Sequence, residues 1–193
     1  MYDFIKGEIR DLSPTFVVLE NNGIGYYINI SLHTYSNLSE KHNVLLYVYE
    51  LIREDTYQLF GFFDKIEREI FTHLISVSGV GANTARVMLS SLSSQEIKNA
   101  IINGNINILK AIKGIGAKTA ERIVVDLRDK LGKVEDSEKI DVFLDNTIKD
   151  EALSALVMLG FPKNKVDKVI TIILKENTGL QVEGLIKEAL KRL

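Results

Sequence analysis

The chain has 193 residues, 46% of them hydrophobic and 26% charged, with a formal net charge of −2 and no cysteine. That length allows one to three small domains with a buried core, and the lack of cysteine excludes disulfides, zinc–thiolate sites and thiol nucleophiles. Apolar runs such as VLLYVY at 44–49 fall short of the roughly 20 residues of a membrane span, and the acidic start MYDFIKGEIRD has no signal-peptide core, so a cytoplasmic protein without a membrane partner is expected.

Residues 1–63 read as strands. DFIKGEIRD, TFVVLE, GYYINISL, VLLYVYELI and TYQLFGF are β-branched or aromatic runs of strand length. NNG at 21–23 is a turn signal, and REDT at 53–56 is a polar break between two apolar runs. An open sheet of such short strands would leave costly edges, so a small closed or half-closed barrel is expected.

After Phe63 the apolar period changes to about 3.6. Ile66, Ile70, Phe71 and Leu74 fit one helical face, and Ile97, Ala100 and Ile101 another. Ser93 or Ser94, ahead of Gln95 and Glu96, has the form of a helix N-cap. Residues 134–149 are acidic and aperiodic, and a flexible linker is expected there. From 150 to 193 helical spacing resumes. One helix ends at Gly160 before Pro162, a second runs near 163–175 and a third near 181–192, with Leu153, Leu156, Val157 and Leu159 as core candidates.

The net charge conceals a division. Residues 1–63 carry 4 basic and 8 acidic side chains (−4), residues 64–133 carry 11 and 7 (+4), and residues 134–193 carry 9 and 11 (−2). The basic segment also contains a repeat. VSGVGANTA at 77–85 returns as IKGIGAKTA at 112–120, so Gly79, Val80, Gly81, Thr84 and Ala85 correspond to Gly114, Ile115, Gly116, Thr119 and Ala120. Each copy reads as helix, tight glycine turn, helix. Glycine permits φ > 0 and leaves bare the backbone N–H groups at the start of the next helix. Those donors and the helix dipole suit a phosphate oxygen. Lys118 and Arg122, one turn apart, add positive charge in the second copy, whereas the first has Asn83 in place of Lys118 and only Arg86 nearby.

Nucleotide cradles fit poorly. A P-loop needs glycine directly before the lysine, but Ala117 separates Gly116 from Lys118. A dinucleotide turn needs a third glycine and a preceding strand. His33, His42 and His73 lack metal-ligand spacing, Asp126 and Asp129 read as solvated, and Glu54 with Asp55 alone make a poor cation site. No catalytic residue, metal or cofactor is expected.

The repeat resembles the helix-hairpin-helix motif, a binder of DNA backbone without sequence preference. Taken in order, GYYINI at 25–30, LIREDTYQLFGF at 51–62, GVGANTA, GIGAKTAERIVVDLRDKL and ALVMLGF make the whole chain similar to the RuvA family. The resemblance implies an α+β multidomain fold: a five-stranded OB-like β-barrel (1–63), an all-α tandem helix-hairpin-helix domain (64–133), the linker, and a UBA-like three-helix bundle (150–193). It implies a non-enzymatic homotetramer that binds four-way (Holliday) junctions by shape, through both hairpins, in recombination, repair and the SOS response. It makes Glu54 and Asp55 an acidic pin at the crossover. The third domain would dock the hexameric ATPase RuvB, with Met158, Leu159 and Phe161 as candidate anchors, and the resolvase RuvC would be a further partner. The competing readings are a helix-hairpin-helix nuclease or glycosylase and a structural adaptor.

Overall fold

The structure is a computed structural model and describes residues 1–132, 143–177 and 180–193. The chain divides into two compact units, Met1–Lys133 and Val134–Leu193.

In the first unit, β1 (Phe4–Ser13), β2 (Phe16–Asn21), β3 (Ile24–Ile30), β4 (Asn43–Arg53) and β5 (Thr56–Phe62) close a barrel in the order β1-β2-β3-β5-β4. Every neighbouring pair is antiparallel except β3 and β5. Alternate residues such as Val17 and Leu19, Ile28 and Ile30, and Leu46 and Val48 fill its interior, the period of two expected of strands with one buried face. Asn22 and Gly23, at φ +50° and +82°, join β2 to β3 as the two-residue turn that NNG signals. The third strand stops at Ile30, short of the expected Leu32. Ser31 accepts a hydrogen bond from the Thr34 N–H at 3.0 Å and caps helix α1 (Leu32–Leu38), which the strand-like composition of GYYINISL conceals.

Helices α2 (Lys65–Ile75), α3 (Ala82–Ser91), α4 (Ser94–Ile102), α5 (Ile106–Lys110) and α6 (Ala117–Gly132) follow. Ser93 and Glu96 form a reciprocal capping box at the start of α4. On α2 the expected face is displaced: Ile70, Phe71 and Leu74 are buried, but Ile66 is exposed and Glu67 occupies the interior position instead. Phe71 packs against Phe60 and Phe62 of β5 at ring separations of 5.3 and 4.8 Å, so one apolar cluster runs from the barrel wall through all the helices from α2 to α6. Barrel and helices thus share one apolar cluster within the first compact unit.

The second unit comprises α7 (Phe143–Met158), α8 (Lys163–Glu176) and α9 (Val182–Leu190) around Ala152, Leu156, Val166, Ile170, Ile173, Leu185 and Ala189. The start of α7 lies inside the expected linker, because Ile148 continues the four-residue spacing of Ala152 and Leu156 onto the core face. Residues 134–142 of that stretch lie outside the described residues. Leu153 is half-buried, but Val157 and Leu159 are exposed rather than core, the first turned off the buried stripe and the second beyond the helix end.

Candidate nucleic-acid interface

The two glycine turns have one geometry. In the first, the Val77 N–H donates to Leu74 O at 3.1 Å, Val80 to Val77 O at 3.0 Å, and Ala85 to Gly81 O at 2.9 Å. In the second, Ile112 donates to Leu109 O at 3.2 Å, Ile115 to Ile112 O at 3.1 Å, and Ala120 to Gly116 O at 2.9 Å. Gly79 and Gly114 both have φ +93°. The anchors Leu74, Val77, Val80 and Ala85, like Leu109, Ile112, Ile115 and Ala120, are buried. Further along the two helices Met88 matches Ile123, and both are fully buried.

What the turns expose follows from this. Ala85 and Ala120 make the first intrahelical bonds, so the N–H groups of Ala82, Asn83 and Thr84, and of Ala117, Lys118 and Thr119, precede the ladder and lack a helical acceptor. Gly81, the N-cap of α3, has no side chain to cap with and an ordinary φ of −87°. A Cβ on Gly79, Gly81, Gly114 or Gly116 would meet nothing within 4 Å. At Gly81 and Gly116, then, neither backbone strain nor internal packing calls for glycine. Open space over bare donors at a helix start is what an approaching phosphate requires.

The turns differ in charge. Lys118 is exposed, with no hydrogen bond or ion pair among the described residues, and the same holds for Lys110 and Lys113 on the approach to Gly114. Sequence reasoning passes over these last two lysines as site candidates, although both are visible in LKAIKGIG. Around the first turn the corresponding residues are Ile75, Ser78 and Asn83. Arg122 donates to the Ser78 carbonyl at 3.2 Å, so it spans from α6 to the first turn. Arg86 points elsewhere: its Nη1 donates to Thr15 O at 3.0 Å and to Asn29 Oδ1 at 3.2 Å on the barrel.

Glu54 and Asp55 form the exposed tip of the β4–β5 hairpin, with Arg53 paired to Thr56 and Ile52 to Tyr57 beneath them. Asp55 accepts a hydrogen bond from Thr56 Oγ1 at 3.0 Å. In the second unit Met158 and Leu159 are exposed at the end of α7, whereas Phe161 is half-buried against the bundle core and serves packing first. Asp126 and Asp129 are exposed on α6, and the described residues contain no cluster of three metal-ligating side chains. No helix among the described residues is long and apolar enough to cross a membrane.

Comparison with known proteins covers nearly the whole chain. Residues 1–61 match the family described as RuvA N terminal domain, residues 71–129 the SAM-like Helix-hairpin-helix tandem, and residues 147–193 the RuvA C-terminal domain. Among curated relatives, the chain is 49% identical to a protein of Christiangramia forsetii over 193 residues, covering 100% of both chains. It is 50% identical over 196 residues to one of Azobacteroides pseudotrichonymphae, and 49% identical over 201 residues to one of Bacteroides thetaiotaomicron, again with 100% of each chain covered. All three relatives carry the name Holliday junction branch migration complex subunit RuvA.

Proposed function

The chain belongs to the RuvA family, and from that premise we propose that it binds four-way DNA junctions by shape and brings a motor to them for branch migration. The duplicated turn carries this reading: two superimposable sets of bare helix-start donors, each beneath a glycine that nothing inside the protein requires. Gly79, Val80, Gly81, Asn83 and Thr84 would receive one strand of an arm, and Gly114, Ile115, Gly116, Lys118 and Thr119 the other. Backbone donors read no bases, so selectivity rests on the shape of the junction.

The remaining assignments extend this reading. Four copies would surround the crossover, with Glu54 and Asp55 facing it. The second unit would hold the RuvB ATPase through Met158 and Leu159, and ATP hydrolysis would belong to that partner. RuvC would act on the same junction, in the cytoplasm. The chain itself performs no covalent chemistry in this scheme.

The test is a binding comparison between a four-way junction and a linear duplex of the same sequence at moderate salt. The junction should bind more than about tenfold tighter. Equal affinities would favour the adaptor reading, and strand cleavage or base release by the protein alone would favour a repair enzyme.

A further inference from the structure

Arg86 is the cation that the first copy of the repeat itself supplies, and a residue so placed invites assignment as a phosphate ligand. The structure gives it another occupation. Its Nη1 meets two acceptors: the Thr15 carbonyl at 3.0 Å, in the turn between β1 and β2, and Asn29 Oδ1 at 3.2 Å, on β3. Thr15 O also accepts the Ile30 N–H at 3.1 Å, and the Asn29 amide passes on to β5 by donating to Leu59 O at 3.1 Å. One guanidinium therefore binds a node of strands β1 to β3, and through Asn29 it reaches the strand that begins at Thr56 beside the acidic tip. At its other end Arg86 sits one turn after Ala82, Asn83 and Thr84, whose N–H groups form the first phosphate site. The corresponding residue of the second copy is Glu121, which is exposed, so this connection has no counterpart in the repeat.

We propose that Arg86 is a positioning residue, a brace running through Asn29 to Leu59 that fixes the first hairpin relative to the β4–β5 tip and thereby sets selectivity for junctions over plain duplex. The proposal rests on the junction-binding reading above. A linear duplex draws its attraction from the hairpins and meets the tip only as a general repulsion, so it needs no set spacing between the two. A junction presents an arm to the hairpins and a crossover to the tip together, so an error in their spacing falls on the junction alone. The planar guanidinium suits this task because the two protons of Nη1 have fixed directions and meet both acceptors, which a freely rotating lysine ammonium does with less directional control.

The experiment measures binding of a four-way junction and a linear duplex across a series of salt concentrations, for wild type, Arg86→Gln and Asn29→Ala, after thermal melting confirms that each is folded. Removing a cation that touches phosphate lowers the slope of log affinity against log salt by about one. A brace carries no such signature. Arg86→Gln should keep the duplex slope while the junction-to-duplex preference falls by about tenfold. Asn29→Ala should reproduce that loss although it removes no charge, and the double variant should lose no more than either single one, as expected of residues acting in one chain of hydrogen bonds. The brace is overturned if Arg86→Gln lowers the slope by about one for both DNAs, or if Asn29→Ala leaves the preference intact. It is also overturned if Arg86→Gln folds but keeps the wild-type preference. A wild type with no preference for the junction removes the functional reading, and the proposal with it.

Discussion

Glu67 is a carboxylate with no exposed surface, and its neighbours explain how it is tolerated. Ser31 Oγ accepts the Thr34 N–H at 3.0 Å and turns its proton to one oxygen of Glu67. Thr34 Oγ1 accepts the Phe63 N–H at 3.0 Å and donates to the other oxygen at 2.7 Å. The carboxylate thus ties the start of α1 and the end of β5 to α2. Burial raises its pKa above the ordinary 4.5, while the Ser31 and Thr34 hydroxyls, the nearby His33 and the Phe63 amide pull it back. A carboxyl with a raised folded pKa binds its proton more tightly folded than unfolded. Its contribution to stability is therefore complete below pH 4.5 and is lost as pH rises through the folded value. Glu20, Glu96 and Glu188, whose pKa values are lowered mainly by hydrogen bonds, act in the opposite sense and lose stability as pH falls. Comparison with Glu67→Gln isolates the first effect. In urea titrations the stability of wild type relative to Glu67→Gln should fall as pH climbs from 4.5, and a constant difference across that window would contradict the assignment. Glu67→Ala, which leaves the Ser31 and Thr34 hydroxyls without their acceptor, should cost about 3 kcal/mol.

At the scale of the element, each hairpin turn contains two glycines with separate duties. Gly79 and Gly114, at φ +93°, hold a conformation that an L side chain adopts only under strain. Gly81 and Gly116 lie outside that region and have open space above them. Alanine at Gly79 or Gly114 should therefore destabilise the fold by about 1–2 kcal/mol. At Gly81 or Gly116, alanine is a poorer N-cap than glycine but restricts the unfolded chain, and these effects offset to within about 0.5 kcal/mol. On the proposed reading, the added methyl would nevertheless stand in the path of a phosphate. Gly81→Ala and Gly116→Ala should keep the wild-type melting temperature while junction affinity falls by more than about tenfold, some 1.4 kcal/mol. Normal binding by a folded Gly116→Ala protein would remove the second turn from the interface. The turns were legible in the sequence because both depend on local rules: glycine where φ is positive, small residues where helices meet, and apolar anchors at helical spacing. Helix α1 was not legible, because a serine cap after a β-branched run looks like the end of a strand. The position of Glu67 was hidden as well. A glutamate beside Ile66 reads as the polar partner of an apolar residue, and only the hydroxyls of Ser31 and Thr34, more than thirty residues away, make its burial tolerable.

Across the whole molecule, the two parts of the first unit carry opposite net charge. Residues 64–133 carry a net +4 and residues 1–63 a net −4. That opposition was visible from composition, and so was the barrel, whose strands end close to the expected breaks. Which charges face a ligand was not visible, because side-chain direction depends on distant partners: Arg86 is taken up by the barrel, Arg122 reaches the first turn, and Lys110, Lys113 and Lys118 stay exposed. The acidic hairpin tip is the feature whose role follows least from local structure and most from the molecule around it. Two exposed carboxylates on a two-residue turn stabilise nothing apparent in the barrel beyond the Thr56 hydrogen bond. On the proposed reading they face DNA and would act on it by repulsion, which decays over about 10 Å at 0.1 M salt. Such repulsion would disfavour a continuous duplex lying across the tip and would be relieved where strands separate at a crossover. Replacing Glu54 and Asp55 by Gln and Asn removes about two negative charges without changing shape, so thermal stability should change by less than about 0.5 kcal/mol. Duplex affinity should rise, most strongly at low salt where screening is weakest, and the junction-to-duplex preference should narrow. Binding assays at two salt concentrations decide the matter. A loss of affinity for both DNAs would mean that the carboxylates attract something, a cation or a neighbouring subunit, and a salt-independent change would exclude electrostatic repulsion as the cause.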